Sequence, residues 1–183
     1  MTRDKNQFTR IFQEAKARYK ELEHTDIELT FTKSLFFTMQ ASVKLASLFH
    51  RKRKYTVNVN LKRVDLFSML SDNDILAWFG HELAHIVDYE TMSRSKFLIF
   101  SLRYLVDLTF RFSVERRITV FACNNEFAEE LLGAWKKFRT IDTIGKGYKN
   151  YIIKNYSPRW EDIKNAAERD GITEEAYRSF TRA

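Results

Sequence analysis

The spacing of hydrophobic residues predicts two amphipathic helices in the first half of the chain. Near the N-terminus, hydrophobic residues recur at helical spacing at Phe8, Ile11, Phe12, Ala15, Tyr19 and Leu22. The same spacing returns at Ile75, Phe79, Leu83 and Ile86. Ser71, followed three residues later by Asp74, is typical of an N-cap with an acidic first turn. We therefore predict that the second helix begins next to Ser71.

Two short stretches alternate between hydrophobic and polar residues. Ile27, Leu29 and Phe31 show this period of two, and so do Tyr55, Val57 and Val59. The alternation predicts two half-buried strands of a small sheet beside the second helix. An exposed edge there, for which Tyr55 to Asn60 is a candidate, could pair with the backbone of an extended peptide. The stretch from Ala41 to Phe49 is predicted to be helical.

The stretch from Phe97 to Phe112 is strongly apolar but shorter than the roughly 20 residues that a bilayer requires. It carries Arg103, Asp107 and Arg111 at i, i+4 and i+8, one charged stripe on an otherwise apolar helix. We predict one helix that is buried on most sides with internal ion pairing. Docking on a membrane surface is the alternative, since a basic chain with a broad apolar helix suits it.

The helical pattern continues along the rest of the chain. It runs through Phe121, Phe127, Leu131, Leu132 and Trp135. Ser157-Pro158 then opens a further helix, with serine as the cap and proline in the first turn. We expect the core to include Trp78, Phe79, Phe100, Leu105, Phe121 and Trp135.

Composition sets the scale of the fold. The chain has 183 residues, 44% of them hydrophobic, with only 5 Gly and 1 Pro, which favours one helix-rich domain over residues 1–183. With the two strands, the predicted class is α+β with helices dominant. The single Cys123 forms no internal disulfide and the first residues are polar, so a cytoplasmic location is expected.

The net charge of +7 favours anionic partners. The sharpest basic cluster, Arg51 to Lys54, follows the predicted helix at Ala41 to Phe49, and cations are favoured near a helix C-terminus. No arginine-glycine tract or regular aromatic motif accompanies it. We therefore interpret the cluster as a solvated helix end and do not expect nucleic acid to be a partner.

The helix after Ser71 carries two of the four histidines, in the stretch His81-Glu82-Leu83-Ala84-His85. Histidines at i and i+4 lie on one helix face, roughly 5–6 Å apart at Cβ, so both can bind one Zn²⁺. Glu82, about 100° around the helix from His81, can take a proton from a metal-bound water. Asp88 suits an orienting role towards His85 or a solvated helix end. The pattern predicts a hydrolytic zinc site; two ordinary histidines on an amphipathic helix are the alternative.

A catalytic zinc takes three protein ligands, and no histidine follows His85. The third donor is therefore a carboxylate or Cys123. Glu115 lies 30 residues after His85, beyond a segment long enough to form a returning helix. Glu126 and Glu130 form an i, i+4 acidic pair, which is more typical of a solvated face. Spacing favours Glu115 and leaves Glu126 as the alternative.

The stretch Phe79-Gly80-His81-Glu82-Leu83-Ala84-His85-Ile86-Val87-Asp88-Tyr89 resembles the active-site helix of small bacterial metallopeptidases of the gluzincin type. In that family a glutamate on a following helix is the third zinc ligand. The resemblance covers most of the chain, although only the metal motif is highly specific. Its other parts are Arg51 to Asn60, Tyr104 and Phe110 up to Glu115, and Tyr156-Ser157-Pro158.

The resemblance implies a zincin-like single domain with the small sheet beside the motif helix. It also implies a zinc-dependent peptidase with a peptide or protein substrate. His81, His85 and Glu115 would be the Zn²⁺ ligands, and Glu82 would be the general base.

Two positions depart from the family pattern. The acid expected four residues after the ligand glutamate is Thr119, and Asn125-Glu126 stands where relatives tend to carry a histidine and a glycine. These departures bear on catalytic strength more than on fold. The alternative function is therefore a catalytically degenerate zincin-fold protein, in which the metal ties two helices together. Its role would be structural or in binding, with association with nucleic acid or a membrane surface as an option.

Overall fold

The computed structural model describes residues 4–34, 37–48, 50, 52–141, 145–147 and 149–150. The helices are α1 (Lys5–Ala17), α2 (Val64–Met69), α3 (Asp72–Glu90), α4 (Arg94–Val106), α5 (Leu108–Ala122) and α6 (Ala128–Thr140). The strands are β1 (Ile27–Thr32), β2 (Met39–Val43) and β3 (Tyr55–Asn60). Helices dominate over one small sheet, which confirms the predicted α+β class. The helix predicted at Ser157-Pro158 lies outside the described residues.

Helix α1 starts with a capping box, in which Asp4 accepts a hydrogen bond from the backbone of Gln7. The predicted N-terminal helix is confirmed as far as Ala17. Tyr19 and Leu22 follow the end of the helix but are still fully buried. The Tyr19 hydroxyl donates to the Gly80 carbonyl at 2.7 Å, which fastens this segment to α3.

The sheet has the order β1-β3-β2, with β1 parallel and β2 antiparallel to β3. Both predicted strands are confirmed, but the helix predicted from Ala41 to Phe49 is wrong. Met39–Val43 is a strand, and only a short 3₁₀ turn, Leu45–Ser47, follows it. Pairing along the whole length of β3 outweighs the helix preference of Ala41 and its leucine neighbours. Because β3 is central, the candidate peptide edge is β2 and not Tyr55 to Asn60.

Helix α3 is the centre of the fold and packs against α1, α5, α6 and β2. Its predicted start is confirmed, since Ser71 and Asp74 form a capping box. Ile75, Phe79, Leu83 and Ile86, the residues that defined its period, are fully buried. Neighbours on several sides hold α3 rigidly, which suits a helix that carries a site.

The single helix predicted from Phe97 to Phe112 is wrong, because the chain bends at Asp107. The backbone there is extended (φ −107°, ψ 99°), and the Asp107 side chain accepts from Phe110 N at 2.9 Å as the N-cap of α5. The predicted ion pair between Arg103 and Asp107 is present, with Nε 3.2 Å from Oδ2. Arg111 instead donates to main-chain carbonyls at the end of α4.

The predicted burial of α4 is also wrong. Leu105, which we expected in the core, is 69% exposed, whereas Phe79 is fully buried and the other four expected core residues are half-buried against the core. Among the described residues, helix α4 packs along one side, and its second apolar side is exposed. Within the described residues, no helix combines the length and the apolar character needed to cross a bilayer.

The helix predicted to continue through Phe121 and Phe127 is interrupted by a π-helical turn, Cys123–Phe127. Glu126 has a left-handed backbone (φ 67°), an uncommon conformation for a residue other than glycine. The interruption brings Phe127 against α3, where its ring would lie 2.5 Å from a Cβ at Gly80. Only glycine therefore fits beside His81 without moving the ring.

Candidate metal centre

Helices α3 and α5 pack together and bring three ligand-type side chains to one point. His81 Nε2 lies 3.0 Å from Glu115 Oε2, and His85 Nε2 lies 3.5 Å from Glu115 Oε1. One donor atom from each residue lies within 4.8 Å of the others. Across the described part of the chain, this is the one such group of His, Cys, Asp or Glu residues.

The cluster is largely closed to solvent. His85 and Glu115 are buried, whereas His81 is half-buried and so faces the accessible side of the site. Burial alone would raise the pKa of Glu115, but the imidazoles of His85 and His81 hold that pKa well below its ordinary value. Glu115 is therefore an anion in the interior, a form that a shared proton or a cation must balance.

The electrostatics at His85 mirror those at Glu115. Burial alone would lower the pKa of His85, but Glu115, Glu82 and Asp88 surround it with negative charge and raise the pKa above its ordinary value. The site thus attracts positive charge to the Nε2 side of His85. A divalent cation and a proton would compete for this position.

Thr119 lies one turn after Glu115 on α5 and contacts the first histidine. Its hydroxyl donates to the Glu115 carbonyl at 2.9 Å and lies 3.3 Å from His81 Nδ1. Because a hydroxyl has one proton, already used on the carbonyl, Thr119 can only accept from His81 Nδ1–H. This arrangement leaves the Nε2 lone pair of His81 directed at the cluster. Thr119 thus stands where the resemblance expects an orienting acid.

Asp88 has a different partner from the one that we considered. Arg117 binds both carboxylate oxygens of Asp88, with Nη1 at 2.6 Å and Nη2 at 2.8 Å. Asp88 therefore links α3 to α5 and does not orient His85. The Nδ1 atom of His85 is buried and has no hydrogen-bond partner among the described residues.

Glu82 lies next to the cluster and is fixed by the sheet. Its Oε2 accepts from the backbone N–H of Ala41 on β2 at 2.6 Å. Lys44 N donates to Lys54 O, and Asn60 N donates to Thr38 O, so the even-numbered residues of β2 pair with β3. The backbone groups of Met39, Ala41 and Val43 consequently face away from β3, on the side where Glu82 lies.

The alternative ligands lie elsewhere. Arg18 donates to the Glu126 carbonyl at 2.5 Å and pairs with the Glu130 carboxylate at 2.9 Å, on the side where α1 meets α6. Cys123 is fully buried and does not belong to the cluster. Of the candidates weighed from the sequence, only Glu115 lies beside both histidines.

Two contacts of the site carried little signal in the sequence. The Tyr104 hydroxyl of α4 donates to Glu115 Oε1; the resemblance includes Tyr104, but no role for it at the site followed from the sequence. Ala41 contributes through its backbone, which no side-chain pattern reveals. Its position opposite Val57 in the β2–β3 ladder could have been found only by predicting β2.

The donor set suits a divalent transition-metal ion. Two imidazole nitrogens and one carboxylate are a known ligand combination for a catalytic Zn²⁺, which keeps its fourth position for water. The carboxylate of Glu115 reaches both imidazoles from a different helix, so the donors approach from two directions. A site built in this way can hold one metal ion and leave its half-exposed side, near His81 and Glu82, open to solvent.

No protein-family model matches this chain, and searches of curated proteins and of solved structures also give no match.

Proposed function

We propose that this protein is a zinc-dependent peptidase with a zincin-like fold. In this proposal His81, His85 and Glu115 bind Zn²⁺ and Glu82 is the general base. The observation that carries it is the convergence of three donor atoms within 4.8 Å of one another, from two helices, next to a carboxylate one residue along from His81. The position of β2 beside the motif helix is a second support.

Each residue of the site has a separate role in the proposed hydrolysis. When bound, zinc would lower the pKa of its water to about 7 and polarise the carbonyl of the substrate. Glu82 would be the proton acceptor, and the Ala41 N–H holds its carboxylate in place. Thr119 keeps the Nε2 lone pair of His81 available to the metal. Burial of Glu115 excludes water from the far side of the cluster.

The outward backbone groups of β2 suggest how a substrate is held. An extended peptide can add to a sheet edge through main-chain hydrogen bonds, which are independent of its side chains. Met39, Val43 and the carbonyl of Ala41 offer such groups beside Glu82, while the Ala41 N–H is already bound to the Glu82 carboxylate. We therefore propose that the substrate is a peptide, or an extended segment of a protein, lying along β2.

Two observations favour a second function, a zinc protein without turnover. The carboxylate of Glu82 is already bound by Ala41 N, and Thr119 replaces an acid that would raise the basicity of His81. In such a protein the metal would tie α3 to α5, and its removal would lower stability.

Hydrolysis of a peptide mixture distinguishes the two functions. Mass spectrometry should detect new cleavage products with the zinc-loaded protein, none after chelation, and the same products again once zinc is restored. A non-chelating isomer of the chelator serves as the control. Zinc binding that raises the melting temperature but gives no cleavage of any peptide would contradict the peptidase and support the structural role.

Replacing Thr119 by valine should weaken zinc binding by about 10-fold. This is the lower end of the range observed when a metal-binding histidine loses the hydrogen-bond partner of its other ring nitrogen. Valine keeps the shape of threonine but cannot accept from His81 Nδ1–H. Thr119→Asp should restore or exceed the affinity of the natural protein, because a carboxylate is the stronger acceptor. Competition with a chelating dye measures both affinities.

Thr9→Val is the matched control, because Thr9 makes the same hydroxyl bond to the carbonyl four residues back, on the exposed side of α1. Its zinc affinity should equal that of the natural protein. An unchanged affinity in Thr119→Val would show that the 3.3 Å contact does not orient His81.

A further inference from the structure

Helix α4 exposes a continuous apolar surface, which we call the α4 apolar face. It is formed by Leu98 (55% exposed), Ile99 (68%), Leu102 (65%), Leu105 (69%) and Val106 (74%). Leu108, 54% exposed, continues it past the bend at Asp107. Large apolar residues exposed singly are ordinary, but a contiguous group of this kind marks an interaction site.

Helix geometry places this face opposite the side by which α4 packs. At 100° per residue, its five residues fall within an arc of about 120°. Phe97, Phe100 and Tyr104 lie on the opposite side of the helix from the α4 apolar face. Phe97 and Phe100 place their rings 5.3 and 5.9 Å from that of Tyr89, and Tyr104 reaches Glu115. The packed side therefore already fastens α4, and the α4 apolar face is available to a second partner.

Basic residues border the α4 apolar face. Residues 91–106 contain Arg94, Lys96 and Arg103 and no acidic residue. All three are exposed, and on the helix they lie within about 60° of the borders of the face. Arg103 pairs with Asp107, which follows the helix, but its side chain stays 59% exposed.

Further positive charge lies at the start of α4. Arg53 donates to the Met92 carbonyl, and Arg94 donates to the His50 carbonyl at 2.9 Å. These contacts place the basic segment that includes Lys52 and Arg53 beside the first turn of the helix. The segment is therefore not the end of a helix, as its sequence suggested, but part of the surroundings of α4.

We propose that the α4 apolar face docks on an anionic lipid bilayer, with the helix lying in the plane of the interface. Apolar side chains would enter the acyl boundary while the bordering cations contact lipid phosphates, the arrangement typical of interfacial helices. The 13 residues of α4 are too few to span a bilayer. A second copy of this chain fits less well, since pairing two such faces would bring their basic borders together.

The exposed side of α4 is separate from the residues behind the peptidase proposal, whereas the packed side of the same helix carries Tyr104, which contacts Glu115. Docking of α4 would place the metal centre close to the membrane surface. Binding to vesicles requires no hydrolysis, so either proposal can fail while the other stands.

Co-sedimentation of the full chain with vesicles tests the docking. At low salt the protein should bind vesicles of phosphatidylcholine and phosphatidylglycerol and not vesicles of phosphatidylcholine alone. The double variant Leu102→Gln with Leu105→Gln should bind about 10-fold or more weakly, because two leucines no longer enter the apolar layer. The matched control is Leu45→Gln with Met69→Gln, which changes two other exposed apolar residues and should bind normally.

A variant without two of the bordering basic residues tests their contribution to vesicle binding. Arg94→Gln with Lys96→Gln should weaken binding to the anionic vesicles by about 30-fold, because each of the two cations contributes about 1 kcal/mol near the surface. A fluorophore at Leu102→Cys should shift to the blue with these vesicles, and one at Met69→Cys should not. The buried thiol of Cys123 would leave the introduced cysteine as the labelled site.

Three results would overturn the proposal. Unchanged vesicle binding by the Leu102→Gln, Leu105→Gln variant would show that charge alone attracts the protein. Loss of a concentration-dependent dimer in that variant, with no vesicle binding by the natural protein, would assign the face to a second copy. A marked fall in its melting temperature without lipid would show that another part of the chain covers the face.

Discussion

Replacing Glu115 by alanine should reduce zinc affinity by more than the roughly 10–100-fold that loss of an outer partner of a metal ligand costs. Glu115 is the one anionic donor of the cluster and faces both imidazoles, with oxygens 3.0 Å from His81 Nε2 and 3.5 Å from His85 Nε2. Without it, two imidazoles on a single helix remain. Two donors cannot complete the three-ligand set of a catalytic zinc site.

The experiment compares zinc affinity by competition with a chelating dye. Glu115→Gln separates the effect of charge from that of shape, because glutamine has the same size as glutamate but no negative charge. This variant should also bind zinc weakly. Glu129→Ala, on the exposed side of α6, is the matched control and should bind as the natural protein does. Normal affinity in Glu115→Ala would transfer the third ligand to Glu126 or to a residue outside the described part of the chain.

Replacing Glu82 by glutamine should leave zinc content unchanged and lower the rate of peptide hydrolysis by about 10²–10⁴-fold, the usual contribution of a general base. The amide oxygen can still accept from Ala41 N, so the side chain stays at the edge of β2. The amide cannot take a proton from the metal-bound water. The loss should therefore appear in kcat, with binding of the peptide little changed.

The measurement is steady-state hydrolysis of a peptide identified as a substrate of the natural protein, with the zinc content of each sample determined in parallel. Glu14→Gln, an exposed change of the same kind on α1, is the control and should have normal activity. Hydrolysis that persists in Glu82→Gln would assign the base to another group or the cleavage to a contaminating protease. Loss of zinc from this variant would instead make Glu82 part of the metal site.

The parts of the fold that the sequence predicted correctly are those in which local pattern and tertiary contacts agree. The cap at Ser71 and the period of Ile75 to Ile86 both describe α3, because this helix is packed along most of its length. The alternation of hydrophobic and polar residues predicted β1 and β3 correctly for the same reason. The short strand β2 was missed because its few residues, read with Leu45 to Phe49, suggest a helix.

The spacing of apolar residues did not predict where the helices are interrupted. Asp107 was interpreted as one member of a charged stripe, yet its side chain caps α5 and so divides one apolar run into two helices. The interruption at Glu126 depends on contacts between distant segments, with Arg18 bonding the Glu126 carbonyl and Phe127 filling the space at Gly80. Neither contact is visible from neighbouring residues.

Part of the candidate site could be predicted from the sequence for a similar reason. His81, Glu82 and His85 share one helix, so their relation follows from helical geometry alone. Glu115 depended on spacing, because its position follows from how α5 returns to α3. Thr119 was recognised only as a departure, and its contact with His81 Nδ1 required the structure. The roles of Ala41 and Tyr104 arise from β2 and α4, whose placement the sequence did not predict.

The most direct test is the zinc content of the purified full chain beside that of its Glu115→Ala variant, both dialysed against the same zinc-containing buffer and then against metal-free buffer. We predict about one zinc ion per chain for the natural protein, as for a three-ligand mononuclear site, and little or none for the variant. Absence of zinc from the natural protein, or equal zinc in both, would contradict a metal ion held by His81, His85 and Glu115.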